Sequence, residues 1–259
     1  MPFVRVSSRG FLKDTVSLNK ESHLKVYLIV LASALVVMLC CGPSASANTQ
    51  QFTFAGSDGD GPVSGTAIIT TSNGKITIQI TDLQSGMVSI GQSISELSFG
   101  ISSGSASSAT LDSFAGNQIG VNHSGAVSGQ ALDNGWGVGV SGAVITVAAS
   151  GDGHFQNLSE YEILGPVCGN GKYCDANGSI AGNSAHDSLY NGTVTIVLDV
   201  TGVTSATSVN DVNMFFGTGP ELELSASSSV VPEPTTLFLL GTGLCLLGGA
   251  LRRRMIAAA

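Results

Sequence analysis

Two β-branched runs meet at Asn73-Gly74, and they constrain the fold more than any other part of the chain. On one side lies AIITTS, on the other KITIQIT. In the second run Ile76, Ile78 and Ile80 fall on one face, and Thr77, Gln79 and Thr81 on the other. A period of two is a strand with one buried face, not a helix. Asn-Gly supplies the positive φ of a type I′ turn, so Thr66–Asp82 is predicted to be a β-hairpin. The pattern returns at Leu97, Phe99 and Ile101, and at Val194, Ile196, Leu198 and Val200. Val138–Ala148 reads as one strand passing through Gly139 and Gly142, and Asn213–Phe216 and Leu222–Leu224 as closing strands. His154–Leu164 is the one ambiguous stretch, readable as a short helix. Many strands with Gly, Ser and Asn between them, and no helices to cover a parallel sheet, predict an all-β body over residues 48–224. Its expected architecture is an antiparallel β-sandwich or jelly roll.

The ends differ in kind from this body. Met1–Lys25 carries five basic residues, and the 16-residue apolar run Val26–Cys41 follows it. Ala45 and Ala47 then fit a small-residue cleavage site. The run is short for a bilayer span and suits a signal helix, so residues 1–47 are expected to be removed and Asn48 to become the first residue. At the other end, Ser225–Val230 reads as a short flexible linker. Residues 231–259 have three parts in order. Val231-Pro232-Glu233-Pro234 is stiff and extended, because each proline fixes φ and disfavours helix in the residue before it. Thr235–Leu251 is apolar and would make a transmembrane helix of roughly 25 Å. Arg252-Arg253-Arg254 stops it and stays on the cytoplasmic side by the positive-inside rule. The body must then lie across the membrane, where the N-terminal signal would send it.

This tripartite tail resembles the PEP-CTERM sorting segment of bacterial exoproteins. The resemblance implies that Pro232, Glu233 and Pro234 are read by exosortase, a membrane protease-transpeptidase. It implies removal of the helix after export, in bacteria that make extracellular polysaccharide. More loosely, Phe215-Phe216-Gly217-Thr218-Gly219-Pro220 is similar to a closing strand found in other such exoproteins.

Charge narrows the partners. Between Asn48 and Val231 the only basic residues are Lys75 and Lys172, against fifteen acidic ones, a net charge of −13. Such a surface repels phosphate backbones, so nucleic acid is excluded as a partner. With both ends removed only Cys168 and Cys174 remain. An even cysteine count in an exported domain predicts a structural disulfide, and a C-x5-C spacing with no second pair is a poor zinc site. The loop is short, so the bond would add roughly 2 kcal/mol.

Sites for chemistry are thin. Asp58 and Asp60 on a glycine-rich turn, and Asp152 between two glycines, are weak calcium candidates. No other cofactor is expected. Glu160 and Glu162 could suggest a glycosidase pair, but surface acids fit better. Gly100–Gly104 matches G-x-S-x-G around Ser102, without the helix such a nucleophile requires. His123, His154 and His186 lie far apart, and Ser184-Ala185-His186-Asp187 is read as loop. Trp136 and Tyr161 could stack on a sugar, although a lone Trp among glycines is more often a core plug. The expected function is therefore that of a non-enzymatic surface or matrix protein, structural or adhesive and associated with exopolysaccharide. Its expected partners are exosortase, the inner membrane before processing, and polysaccharide. The alternatives are a calcium-assisted carbohydrate-binding module and a secreted hydrolase.

Overall fold

A computed structural model describes residues 47–102, 106, 108–132, 134–149, 161–182, 188–218 and 222–230. The chain divides into two units, Met1–Ala45 and Ser46–Ala259. The first lies wholly outside the described residues, as do both apolar runs and the Pro232–Pro234 motif.

Among the described residues, thirteen strands make up the body. They are β1 (Asn48–Asp58), β2 (Gly61–Ser72), β3 (Lys75–Asp82), β4 (Ile94–Ile101), β5 (Ala109–Val121), β6 (Val127–Gly129) and β7 (Gly137–Ser141). Then come β8 (Val144–Ala148), β9 (Ile163–Leu164), β10 (Leu189–Val200), β11 (Val209–Phe216), β12 (Leu222–Ser225) and β13 (Ser227–Val230). The only helical element among the described residues is a 3-10 turn at Ile90–Gln92.

The strands form two runs. One is β13-β1-β2-β3-β10-β5-β6, the other β7-β8-β4-β11-β12. Two connections join them. The short β9 pairs in parallel with β10 and antiparallel with β4. At the far edges β12 pairs with β11 and β13 with β1, and only Ala226 separates β12 from β13. One short segment thus occupies the outer edge of both runs, where an exposed ladder would otherwise invite pairing with another chain.

The alternating residues set the register. Ile196 of β10 lies opposite Ile78, Val194 opposite Ile80 and Leu198 opposite Ile76. Ile69 of β2 faces Ile78 from the other side. All of these are fully buried. They belong to one core that also takes Phe52, Leu97, Phe99, Val147, Met214 and Phe216, so both runs contribute to it. Burying each such side chain contributes roughly 1.5–3 kcal/mol. Gly65 shows how closely the runs approach. A Cβ there would lie 2.7 Å from Met214 Sδ and 2.9 Å from Ile94 Cδ1.

Several expectations are corrected. The hairpin at Asn73-Gly74 forms, with Ser72 opposite Lys75, but only Gly74 takes a positive φ (+75°). A type I′ turn needs both central residues left-handed, so this turn fits type II instead. Tertiary bonds hold it. The Gly74 amide donates to Val203 O at 2.9 Å, and its carbonyl accepts from Val200 N at 2.9 Å. Val138–Ala148 is not one strand but the β7-β8 hairpin, turning at Gly142 (φ +63°) with Ser141 opposite Val144. The segment read as a flexible linker, Ser225–Val230, is the end of β12 and all of β13. Its small polar residues can pair because a ladder is made by backbone, not by side chains. In the ambiguous stretch Ile163–Leu164 is strand, and residues 154–160 lie outside the described residues.

Candidate functional site

The place where the sorting segment leaves the body is built from backbone pairing. β13 runs antiparallel to β1, with Gln50 opposite Val230, Gln51 opposite Ser229, Phe52 opposite Ser228 and Thr53 opposite Ser227. The Ala226 amide donates to Val212 O at 2.9 Å and fixes the junction with β12. Asn48 opens β1, and its side-chain amide donates to Thr207 O at 3.1 Å. Gln50 is tied twice, donating to Val209 O at 3.0 Å and accepting from Val209 N at 2.6 Å. The first strand of the body and its last described residues therefore share one edge.

A second site surrounds the two cysteines. Asn170 (φ +73°) and Gly171 (φ +68°) are both left-handed within the three-residue loop between Cys168 and Lys172. The Cys168 amide donates to Lys172 O at 2.7 Å across it. Cys168 and Cys174 are free thiols. The Cys174 amide donates to Cys168 Sγ at 3.1 Å. Hydrogen bonding to the Cys168 sulfur also holds the Cys174 thiol above its usual range, with smaller contributions from burial and from Cys168 and Asp175 charge. Just beyond the turn, Tyr173 is buried in a smaller apolar cluster with Met87, Ile119, Leu164, Ile180 and Leu189. Its hydroxyl donates to Gly165 O at 2.9 Å and accepts from Asn191 Nδ2 at 2.7 Å. Burial raises the phenol above its ordinary range, the Asn191 bond opposing it.

Three carboxylates that sequence reasoning passed over or placed at the surface are buried. Asp82, 1% exposed, accepts from Gln84 N at 2.8 Å through Oδ1, while Oδ2 has no hydrogen-bond partner among the described residues. Desolvation pushes its acid well above the usual carboxylate range. Glu96, 4% exposed, lies opposite Phe215 and on the face away from Leu97 and Phe99. Burial, helped by the charge of Glu223, pushes it up to about 8. Glu162 is fully buried rather than a surface acid. Its carbonyl accepts from Tyr190 N at 2.9 Å where β9 joins β10. Glu160 lies outside the described residues. The period of two that buries Ile76, Ile78 and Ile80 continues to Asp82 and could have found it, whereas for Glu96 and Glu162 the sequence held no signal, since a single acid beside apolar residues says nothing of what covers it.

The remaining candidates do not converge. Asp58 pairs with Gly61 across the two-residue β1-β2 turn, and the Asp60 carboxylate lies against Gly91 of the 3-10 turn. Among the described residues no three His, Cys, Asp or Glu gather to hold a metal ion. Ser102 Oγ accepts from the Ser208 amide at 2.9 Å and is hydrogen-bonded to the Ser208 hydroxyl at 2.8 Å, a tie between two loops. His123 lies over Gly182, while Asp152, His154 and His186 fall outside the described residues. Trp136, 1% exposed, donates its indole N–H to Tyr161 O at 2.8 Å and plugs the core. Among the described residues no helix is long and apolar enough to cross a membrane.

The family model described as the PEP-CTERM protein-sorting motif matches residues 230–254. No curated protein matches the chain, and no solved structure does.

Proposed function

We propose that this chain, which carries a PEP-CTERM protein-sorting motif and is thereby marked for sorting to the exterior by an exosortase system, works there as a non-enzymatic structural or adhesive protein of the exopolysaccharide layer. The observation that carries this reading is the junction of motif and body. The matched segment begins at residue 230, the last residue of a strand that completes the edge of an all-β body. On this reading residues 1–47 direct export. The Thr235–Leu251 helix then holds the chain in the inner membrane, with Arg252–Arg254 inside, until exosortase acts at Pro232–Pro234.

Outside, the two strand runs act as the faces of an antiparallel sandwich. Cys168 and Cys174, already in hydrogen-bond contact, become a disulfide under the thiol oxidants of that compartment. Each thiol loses a proton, and the pair gives up two electrons to that oxidant. The non-enzymatic reading is supported by where the candidate groups lie. Ser102 is bonded to Ser208, and Glu162 is buried beside the β9-β10 pair. A sugar platform needs exposed coplanar rings. Trp136 is instead buried, and Tyr161 is half-buried with its ring tilted by 33° to that of the buried Tyr190.

Mass spectrometry of both termini of protein recovered from the native cell surface tests the reading. The expected product starts at Asn48 and lacks everything beyond the Pro232–Pro234 region. Surface material that keeps Arg252–Arg254 would overturn it.

A further inference from the structure

The motif match starts at residue 230, and Val230 is still paired with Gln50. No spacer separates the folded edge from the residues a sorting enzyme must grip. Pro232 and Pro234 lack an N–H and cannot donate to a ladder. Four residues lead from Val230 to Pro234, and fully extended they reach at most ~14 Å. A domain the size of residues 48–230 has a radius of gyration of about 16 Å. A membrane enzyme that takes the motif in extended form would therefore meet the bulk of the body at its entrance.

β13 can relieve this, because it is a separable unit. Among the described residues its ladder consists of four residue pairs to β1, whereas β12 is held independently to β11. Between them the Ala226 amide is anchored on Val212 O. Peeling β13 stops at that anchor and adds four residues of free chain, doubling the reach to ~27 Å.

We propose that β13 is a strap that must leave β1 before the sorting enzyme engages the motif. Processing then follows the open population of β13, and the strap recloses on β1 once the tail is gone. This rests on the exosortase reading above and adds a conformational gate to it.

The test is pulse–chase of the full chain in a host that carries the sorting system, scoring loss of the tail. A Gln51→Cys/Ser229→Cys pair, directly opposed in the register, locks β13 to β1 in a Cys168→Ser/Cys174→Ser background. The lock is verified by mass, with each single cysteine as control. We expect the locked chain to lose its tail at least tenfold more slowly than the controls. Eight Gly/Ser residues inserted after Val230 should bring the locked chain back to within about twofold of the unlocked rate, which a misfolded body would not allow. A verified lock processed at the control rate would overturn the strap, as would an insertion that restores nothing. A tail retained by the unmodified chain would instead overturn the sorting reading, and the strap with it.

Discussion

The two apolar clusters of the body are built in opposite ways. The large one is made mostly of strand residues at every second position, placed by pairing registers such as Ile69, Ile78 and Ile196 in one row. The small one takes half of its buried residues from outside the strands, with Met87, Ile90, Tyr173 and Ile180 coming from segments of no periodicity. Polar side chains do there what ladders do in the large core. Gln92 accepts from Val88 N at 2.7 Å and from Ser89 N at 3.2 Å, and donates to Pro62 O at 2.8 Å. Ser179 Oγ accepts from Ile90 N at 3.0 Å, beside a backbone bond from Asn177 N to Val88 O at 2.7 Å. Apolar area stabilises both clusters, but only in the second does position depend on a few specific hydrogen bonds.

Cavities should expose this difference most strongly. Ile78→Ala is expected to cost about 4 kcal/mol, and Ile180→Ala about 2 kcal/mol because loops collapse around a cavity more readily than paired strands. Urea midpoints at unchanged slope would check both, and equal costs would erase the contrast.

The buried carboxyls come next. Glu96 has a folded pKa raised to about 8, so the fold holds its proton where the unfolded chain gives it up. Its stabilisation is complete below the unfolded value, near pH 4.5, and is lost as pH rises toward 8. Glu96→Gln should therefore leave stability unchanged at pH 4 and raise it by on the order of 3 kcal/mol at pH 7. Asp82, beside the smaller cluster, is also raised, so Asp82→Asn should act with the same sign. Thermal midpoints across pH 4 to 8 would show it, and a flat difference would be contrary.

Tyr173→Phe removes one hydroxyl and leaves Gly165 O and Asn191 Nδ2 without it, at a cost of about 1–3 kcal/mol. Hydrogen exchange should quicken around residues 161–182 and not in β3 or β10. The smallest effect belongs to the strand surface. Lys75 bridges Asp112 at 2.9 Å and Asp199 at 2.8 Å, with all three exposed, and Lys75→Met should leave the midpoint within error at any salt concentration.

Much of this was legible where one physical rule acts alone. Ile76, Ile78 and Ile80 alternate, and they are buried. The Asn73-Gly74 hairpin was legible as a hairpin but not by turn type, because bonds to Val200 and Val203 decide how Gly74 is oriented. The strand at Ser227–Val230 was hidden, since serines give no hydrophobic period and only the free edge of β1 gives them a partner. Glu162 and Trp136 show the same limit at the candidate sites, their roles depending on what the rest of the chain lays over them.

From the sequence alone came the all-β class, the main core face and the sorting tail, because periodicity, proline stiffness and charge clusters act within a few residues. The tertiary structure alone decided the joining of the two runs through β9 and Ala226, the burial of Glu96 and Glu162, and the absence of a spacer before the motif. Each of these depends on groups far apart in the chain meeting in space, and no local pattern encodes that.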